Sequence, residues 1–491
     1  MSLRQHAQLS PLPLTVPAAL APTQATAATG WVPPNLQEAY PGYLLTTKID
    51  AIRAEHYSHL DRTDHAYLDY TGACLVADTQ LRAHFARLDG ICLGNPHSES
   101  PASRPATELV EQARAAVLRF LRASPEEYTA IFTPNATGAC RLVGEAYPFD
   151  KGTTFALTCD NHNSVNGIRE YARVRGAAID YISLTSPELR VDEETVQATL
   201  RRHHGGGLFA YPAQSNFSGV RHPLEWIELA HGYGYDVLLD AAAYLPTNAL
   251  DLSVVHPDFV TVSWYKVFGY PTGVGCLVAR REALARLQRP WFSGGTVHAA
   301  SVAGGWHAPA DGEAGFEDGT VNFLNIPDVE CGISWIDQIG IDLIHRRVGY
   351  LTGWMLDWLG GLRHSNGSPL VRLYGPATTE RRGGTVTFNV LDPAGRVVDE
   401  RIAARDLAAA NISVRTGCFC NPGAAERAFA IDSGALRLLG GGEGQTIAPV
   451  HSVDQYADLL GLPSTGAIRA SLGLVSNAVD VERLCRCLEQ T

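Results

Sequence analysis

Short apolar runs alternate with helix-like patterns through the middle of the chain. Six runs are typical of buried strands: Thr129–Thr133, Thr153–Thr158, Gly207–Tyr211, Asp236–Asp240, Phe259–Ser263 and Val274–Val278. Four segments have the periodicity of helices: Glu108–Leu121, Ser164–Ala172, Leu224–Gly232 and Glu282–Leu287. Strands that alternate with helices are typical of a parallel sheet covered on both faces. The pattern therefore predicts an α/β fold, with a mainly parallel sheet of the seven-stranded type sandwiched by helices.

The pattern changes at Pro327. Beyond it come helical patterns and short β-like runs: Asp328–Asp337, Leu343–Leu359, Gly384–Val390, Asp399–Ala410, Ile412–Arg415, Ala467–Ser471 and Val481–Leu488. The glycine-rich stretch Ser433–Ile447 predicts a mobile loop. This mixture predicts a second, smaller α+β domain.

We expect four parts along the chain. They are a disordered tail over residues 1–40, an N-terminal segment over 41–92 that contributes to the small domain, a large cofactor-binding domain over 93–326, and the small C-terminal domain over 327–491. Pro11, Pro13 and Pro17 interrupt the apolar core that a signal peptide needs, which favours the tail over a secretion signal.

Composition narrows the class of protein. Hydrophobic residues make up 45% of the chain and charged residues 18%, as in an ordinary globular enzyme. The formal charge of −12 argues against nucleic acid or an anionic membrane as partner. No apolar run approaches the ~18 residues that span a bilayer. The ten cysteines form no disulfide framework, so with no secretion signal we expect a reducing, cytoplasmic location.

The chain contains only three lysines, Lys48, Lys151 and Lys266, among 39 lysine and arginine residues. A desolvated lysine can lose its proton and form a Schiff base, which arginine cannot do. Lys266 follows the apolar run Phe259–Ser263, in the loop at the carboxyl end of a strand, where α/β proteins place catalytic groups. Lys48 and Lys151 lie in polar, turn-like stretches that suit solvated charges.

Four other predicted strand ends carry polar residues. Thr137 and Gly138 begin a helix, where they either seat an anion or only cap the helix. His162 is catalytic or structural, Asn216 supplies an amide, and Asp240 is an isolated carboxylate, without the neighbours of a metal site. Pyridoxal phosphate (PLP) needs such a set of residues. Its phosphate needs an anion-binding site, its pyridine nitrogen needs a carboxylate, and its aldehyde needs a lysine.

Several stretches resemble motifs of class V, fold-type I PLP-dependent aminotransferases and cysteine desulfurases. The chain is most similar to the N-terminal domain of molybdenum cofactor sulfurases. The matching stretches, in family order, are Tyr67–Ala73, 94–98, Asp160–Val165, Pro212–Gly219, Asp240–Ala243, Ser263–Gly273, Glu317–Thr320, Arg415–Gly423 and Arg469–Gly473. Molybdenum cofactor sulfurases carry a further C-terminal domain that binds the molybdenum cofactor. We recognise no such domain in the sequence up to Thr491, and we therefore expect a stand-alone enzyme.

The resemblance implies roles around the cofactor. Lys266 forms the Schiff base, His162 stacks on the pyridine ring, Asp240 pairs with the ring nitrogen, and Asn216 reaches the phenolic oxygen.

Further roles concern the phosphate and the substrate. The resemblance implies that Thr137, Gly138 and Ser263 bind the phosphate group of the cofactor. Thr320 reaches the phosphate site of the partner subunit, which implies a homodimer with active sites at the interface.

The resemblance also implies that Asn95 and Arg469 bind the substrate, with Arg469 paired to the substrate carboxylate. It implies that Cys420 takes up the substrate sulfur as a persulfide. Two other interpretations remain open for this cysteine. Cys418 and Cys420 have no role, or they form a zinc site with Cys485 and Cys487. No metal is expected.

Three functions remain. The first is a cysteine desulfurase that releases alanine and passes the sulfur of Cys420 to an acceptor. The second is a cysteine S-conjugate β-lyase, or a related tailoring enzyme of natural-product biosynthesis, that releases a thiol. The third is a cofactor-binding scaffold or sulfur-relay partner without catalysis.

Overall fold

A seven-stranded sheet forms the centre of the molecule. In the computed structural model, residues 32–96, 98–203, 205–439, 450–462, 464 and 466–490 are described. The seven strands lie in the order β2-β10-β9-β8-β7-β3-β4. The strands of the described residues are β1 (Ala66–Tyr67), β2 (Tyr128–Thr133), β3 (Thr154–Thr158), β4 (Ala178–Ile182), β5 (Leu184–Thr185), β6 (Arg190–Val191), β7 (Gly207–Pro212), β8 (Tyr235–Asp240), β9 (Phe259–Ser263), β10 (Gly275–Arg280), β11 (Val297–Ser301), β12 (Trp306–Pro309), β13 (Val371–Tyr374), β14 (Thr385–Val390), β15 (Ile412–Ser413), β16 (Arg415–Gly417) and β17 (Ala467–Ser471).

Helices separate most of these strands. They are α1 (Pro34–Ala39), α2 (Lys48–His56), α3 (His59–Arg62), α4 (Asp78–Gly90), α5 (Ser103–Phe120), α6 (Ala136–Ala146), α7 (Asn163–Asn166), α8 (Ile168–Arg175), α9 (Glu193–Arg202), α10 (Trp226–Gly232), α11 (Trp264–Phe268), α12 (Arg281–Leu284), α13 (Pro327–Ile339), α14 (Ile341–Gly361), α15 (Glu400–Ala409), α16 (Pro422–Ala428), α17 (Ser433–Leu439), α18 (Val453–Leu460) and α19 (Ala478–Glu489). Short 3-10 helices span Pro41–Thr46 and Gly312–Gly315. Among the described helices, none has the length and apolar character needed to cross a membrane.

The large sheet is mainly parallel, which confirms the predicted fold class. Strands β4, β3, β7, β8 and β9 pair in parallel, and β10 runs antiparallel to both of its neighbours. Strand β4 was not among the six predicted strands, because it is an edge strand of only five residues in which Asp180 interrupts the apolar run.

Helices cover both faces of this sheet. On one face, α6 and α8 pack against alternating strand residues such as Ile131 and Leu157. On the other face, α5 and α10 pack against residues such as Phe132 and Val237. Because successive side chains of a strand point to opposite faces, each buried strand contributes to both cores.

The C-terminal part contains a four-stranded antiparallel sheet in the order β13-β14-β17-β16. The N-terminal segment joins it, since β1 pairs in parallel with β15 and Asp69 bridges to Ser471. The domain boundaries proposed from the sequence remain predictions.

Two expected flexible segments differ in part from the structure. Residues 1–31 of the predicted tail lie outside the described residues, but Pro34–Ala39 forms α1 because Leu36 is fully buried in the core. Ser433–Leu439 is helical, and residues 440–447 of the predicted loop lie outside the described residues.

A buried ion pair ties the N-terminal segment to the last helix. Arg53 in α2 is 4% exposed and Asp480 in α19 is 2% exposed. The Nη1 atom of Arg53 lies 2.6 Å from Oδ2 of Asp480, and it also donates to the carbonyl of Val475 at 3.0 Å. Burial raises the pKa of Asp480 despite the opposing charge of Arg53.

We expect Arg53→Met to lower the free energy of unfolding by ~3–5 kcal/mol, because it leaves a buried carboxylate without its counter-charge. The measurement is urea unfolding monitored by circular dichroism. Arg486→Met is the control, since its exposed pair with Glu482 on the same helix is worth ~1 kcal/mol or less.

Loss of Arg53 raises the pKa of Asp480 further in the folded state. The deficit should therefore be largest at high pH and should shrink as the pH falls and the carboxyl group binds a proton. Equal stability losses in the two variants would contradict this account.

Candidate active site

A cavity of about 680 Å³ lies where the carboxyl ends of the parallel strands meet the small domain. Five residues predicted from the sequence line it: His162, Asn216, Lys266, Cys420 and Arg469. The first three follow β3, β7 and β9, whose carboxyl ends share one edge of the sheet. Cys420 and Arg469 come from the small domain. The cavity therefore lies between the two parts of the chain.

Lys266 lies in the short helix α11, directly after β9. The rings of Trp264 and Phe268 stack with centroids 5.6 Å apart and hold this helix against the core. Gly269 ends the helix with φ +83°, and a Cβ there would come within 2.3 Å of the Leu75 backbone. Burial lowers the pKa of Lys266, and the positive charge of Arg469 acts in the same direction. The amine is thus closer to its neutral, nucleophilic form.

Asp240 ends β8 as a buried carboxylate, 8% exposed. Its Oδ1 accepts hydrogen bonds from the N–H of Ala242 at 3.0 Å and from the hydroxyl of Thr261 at 3.3 Å. No donor among the described residues bonds to its Oδ2. Its negative charge raises the pKa of both Lys266 and His162, which identifies it as the local counter-charge.

His162 caps α7 through its own ring. Its Nδ1 accepts from the N–H of Ser164 at 3.1 Å, which leaves Nε2 to carry any hydrogen of the neutral ring. Burial lowers the pKa of His162, with Lys266 and Arg469 acting in the same direction. A neutral imidazole at the cavity wall is suited to packing against an aromatic ring.

The N-terminus of α6 is the predicted anion seat. The side chain of Asn135 caps the helix and accepts the N–H of Gly138 at 2.9 Å, so that donor is already used. The Oγ of Ser263 accepts the N–H of Ala136 at 2.9 Å, which leaves the hydroxyl hydrogen of Ser263 for another acceptor. The N–H of Thr137 lies in the first turn, where helices offer no internal acceptor.

Arg469 shares one carboxylate with a second arginine. Asp69, 7% exposed, accepts from Nη2 of Arg469 at 3.1 Å and from Nη2 of Arg415 at 2.6 Å. The two arginines are cross-strand partners in β17 and β16, and both line the cavity. A Cβ on Gly72 would lie 2.5 Å from Oδ2 of Asp69, so only glycine permits this approach.

Sequence reasoning assigned no role to Asp69 or Arg415. Both stand within stretches that resemble family motifs, Tyr67–Ala73 and Arg415–Gly423, and that was the available signal. The sequence could not predict the contact between Asp69 and Arg415, because 346 residues separate them in the chain.

Arg469 has donors left for a ligand. It is 2% exposed and donates from Nη1 to the carbonyl of Asn216 at 3.1 Å, while its buried Nε has no hydrogen-bond partner. Its guanidinium lies over the ring of Phe419, 4.7 Å from the centroid. Together with Arg415, it makes this end of the cavity electropositive.

Cys420 is exposed and lies in a strained turn. Phe419 and Cys420 both adopt left-handed backbone, with φ +57° and +54°. Such conformations persist where surrounding contacts over-determine them. The carbonyl of Cys420 accepts from the N–H of Asn163 at 2.7 Å, and the carbonyl of Phe419 accepts from the side chain of Asn216 at 2.8 Å.

Asn421 completes the anchorage of this turn. It is fully buried and donates from Nδ2 to the carbonyl of Asp160 at 2.7 Å and to Oδ1 of Asn216 at 2.8 Å. Its Oδ1 accepts the N–H of Ala424 at 3.2 Å and caps α16. The Cys420 turn is therefore held against the large domain rather than carried on a free loop.

Asn95 and Thr320 lie apart from the Lys266 cavity. Both are exposed, and Nδ2 of Asn95 donates to Oγ1 of Thr320 at 3.2 Å. Thr320 instead lines a separate cavity of about 340 Å³ together with Gly138. The roles proposed for Asn95 and Thr320 remain predictions.

The described residues include no cluster of three His, Cys, Asp or Glu side chains that could hold a metal ion. All ten cysteines lie in the described part of the chain, and none of them forms a disulfide bond. Cys485 is buried in α19 and Cys418 and Cys420 line the catalytic cavity, so the geometry gives no support to the zinc alternative.

Comparisons with known proteins identify the family of the chain. A family model described as aminotransferase class-V matches residues 66–484. The chain is 36% identical over 485 residues to a molybdenum cofactor sulfurase of Solanum lycopersicum, covering 92% of this chain and 58% of that protein. It is 34% identical over 464 residues to the Homo sapiens molybdenum cofactor sulfurase, covering 90% and 51%. The chain thus spans little more than half the length of these relatives.

Solved structures show the same fold. The apo cysteine desulfurase from Thermococcus onnurineus NA1 superimposes with a TM-score of 0.74 and 23% identity, covering 90% of this chain and 97% of that one. A C-DES variant with glycine covalently linked to its PLP cofactor gives a TM-score of 0.66 and 17% identity, covering 89% and 98%.

The cavity and the adjacent helix terminus fit PLP. Lys266 can bind the aldehyde, the unused Oδ2 of Asp240 can face the pyridine nitrogen, and the free N–H of Thr137 and hydroxyl of Ser263 can hold the phosphate. The chemistry of this donor set matches each end of the cofactor.

We expect Asn421→Ala to release the Cys420 turn, because it leaves buried polar groups of the large domain without partners. Hydrogen–deuterium exchange of the amides of Asn163 and residue 421, which bond to the carbonyls of Cys420 and Cys418, should be about tenfold faster by mass spectrometry if the lost hydrogen bonds are worth ~1.4 kcal/mol. Asn366→Ala is the control, since this exposed asparagine also bonds to a backbone carbonyl, that of Pro393. Unchanged exchange of these amides in Asn421→Ala would contradict the anchoring role.

Proposed function

The chain belongs to the class V aminotransferase family, and from that premise we propose that it is a PLP-dependent enzyme that removes sulfur from cysteine. The observation that carries the proposal is the convergence of Lys266, Arg469 and Cys420 on one cavity. These residues provide an amine, a carboxylate-binding cation and a thiol. No two of them are neighbours in the sequence.

Substrate binding rests on the two arginines. Arg469 keeps an unpartnered Nε and offers a planar fork that suits the substrate carboxylate. Asp69 holds both Arg469 and Arg415 in place, so their orientation is set before the substrate arrives. This preorganisation lowers the entropy cost of binding.

PLP, when bound, supplies the electron sink that allows the bonds around the substrate α-carbon to break. Lys266 accepts the α-proton, because burial and nearby arginines lower its pKa and favour the neutral amine. His162 packs against the cofactor ring, and Asp240 keeps a proton at the pyridine nitrogen.

Cys420 receives the sulfur. Its thiolate attacks the substrate sulfur, the bond between that sulfur and the β-carbon breaks, and the β-carbon gains a proton. Cysteine and the enzyme thiol thus become alanine and an enzyme persulfide, with atoms and electrons balanced. The electropositive cavity is the kind of surrounding in which nucleophilic cysteines occur. The persulfide then passes its sulfur to an acceptor.

A second candidate is a cysteine S-conjugate β-lyase or a related tailoring enzyme, which would release a thiol, pyruvate and ammonia. One observation favours it: the cavity extends beyond Cys420 to Glu426, Ile431 and Tyr456, which leaves space for a substituent on sulfur. In that reaction the thiol of Cys420 would not be consumed.

We further propose a homodimer. The exposed positions of Thr320 and Asn95 support it, because these side chains can contact a second subunit without rearrangement of the core. Each Thr320 would then reach the phosphate seat of the partner subunit.

The enzyme should convert cysteine to alanine, and Cys420→Ala should lower the rate of alanine formation at least about a hundredfold, or ~2.7 kcal/mol in barrier height. The measurements are amino-acid analysis and trapping of the persulfide by an alkylating reagent. Cys418→Ala is the matched control, since Cys418 lines the same cavity.

S-methylcysteine separates the two candidates. Pyruvate and methanethiol formed equally by the native enzyme and Cys420→Ala would favour the lyase and overturn the desulfurase.

The native protein should have twice the monomer mass in light scattering. Thr320→Ala should weaken PLP binding by about ten- to a hundredfold, the effect of losing a hydrogen bond to a charged group worth ~1.5–3 kcal/mol. Cofactor absorbance during dialysis measures this. Thr378→Ala, at an exposed threonine elsewhere, is the control. A monomer with native PLP affinity in Thr320→Ala would contradict the dimer.

A further inference from the structure

A second cavity, of about 320 Å³, lies away from Lys266 between the loops after β7 and β8 and the long helix α14. Three arginines line it: Arg221, Arg346 and Arg382. None of its lining residues is Asp or Glu. In a chain with a formal charge of −12, such a local excess of positive charge requires a physical explanation.

Arg382 is a buried cation without a counter-charge. It is 4% exposed, and its guanidinium donates to the backbone carbonyls of Ser218 and Pro376. It forms no ion pair with any Asp or Glu of the described residues. Burial lowers the pKa of Arg382 to about 9, and the charge of Arg190 acts in the same direction. Carbonyl groups satisfy its hydrogen bonds but do not neutralise its charge.

Arg221 and Arg346 also lack carboxylate partners in the described part of the chain. Arg221 is half-buried and donates from Nη1 to Oδ1 of Asn248 at 2.9 Å. Arg346 is exposed and donates from Nε to the carbonyl of Asp342 at 3.4 Å. Each guanidinium therefore keeps N–H groups that no described residue accepts. Planar guanidinium forks bind oxyanions through paired hydrogen bonds.

We propose that this cavity binds a phosphate-type oxyanion, either inorganic phosphate or the phosphate group of a small metabolite. Its three arginines come from different elements: the loop after β7, helix α14 and the segment before β14. A bound oxyanion would neutralise Arg382 and hold these elements together. The hydroxyl groups of Tyr350 and Thr247, which also line the cavity, add polar contacts of the kind such a ligand needs. The proposal does not rest on the reaction assigned above.

Isothermal titration of the PLP-saturated protein with inorganic phosphate tests the site. Saturation with PLP fills the phosphate seat at Thr137, so the titration reports on other sites. We expect one phosphate per subunit. Arg221→Gln and Arg346→Gln should each weaken binding at least about tenfold, since a charge-assisted pair of hydrogen bonds is lost. Both side chains are accessible, and ligand-free melting temperatures close to that of the native protein would verify folding.

Arg372→Gln is the matched control, because it removes the same charge from an exposed position outside the cavity. It should bind phosphate like the native protein. Titration with glycerol phosphate, done in the same way, distinguishes inorganic phosphate from the phosphate group of a small metabolite as the ligand. Weaker binding of either compound to Arg221→Gln supports the site. Absence of phosphate binding to the native protein would overturn the proposal. So would native affinity in both cavity variants, or loss of binding in Arg469→Gln alone, which would locate the anion in the catalytic cavity.

Discussion

Parallel pairing of β3, β7, β8 and β9 is the constraint on which the catalytic cavity depends. In a parallel sheet all carboxyl ends lie at one edge, so residues that follow successive strands become neighbours. His162, Asn216, Asp240 and Lys266 meet for this reason alone. The backbone hydrogen bonds of the sheet thereby set the relative positions of an imidazole, an amide, a carboxylate and an amine before any side-chain interaction is considered.

Most buried charges around the cavity lie next to a residue of opposite charge. Asp240 lies near Lys266 and His162 as their local counter-charge, and Asp69 holds Arg415 and Arg469. Each carboxylate is itself positioned by main-chain geometry, Asp240 by the end of β8 and Asp69 by the approach that Gly72 permits. The cavity thus has a negative charge beneath it and a positive wall, an arrangement suited to the zwitterionic amino-acid substrate proposed above. Arg382 is the contrasting case, a buried cation for which the described residues supply carbonyl groups but no carboxylate.

The small domain completes the cavity through rigid contacts. Asn421 fastens the Cys420 turn to the large domain, and the left-handed backbone at Phe419 and Cys420 is maintained by those hydrogen bonds. Such anchorage presents the thiol in one orientation. Under the proposed function, transfer of sulfur from Cys420 to an acceptor requires either a partner that comes to the exposed thiol or a release of the turn.

The sequence by itself determined the fold class, most strand positions and the residues at the strand ends, because periodicity and strand-end chemistry are local properties of the chain. The tertiary structure decided the rest. It added the edge strand β4, ordered Pro34–Ala39 around Leu36, and showed that Asn135 already uses the N–H of Gly138. It placed Asp69 in contact with Arg415 and Arg469. It also placed Arg221 in the same cavity as Arg382. These are contacts between distant segments, and their geometry depends on long-range packing that no local pattern encodes.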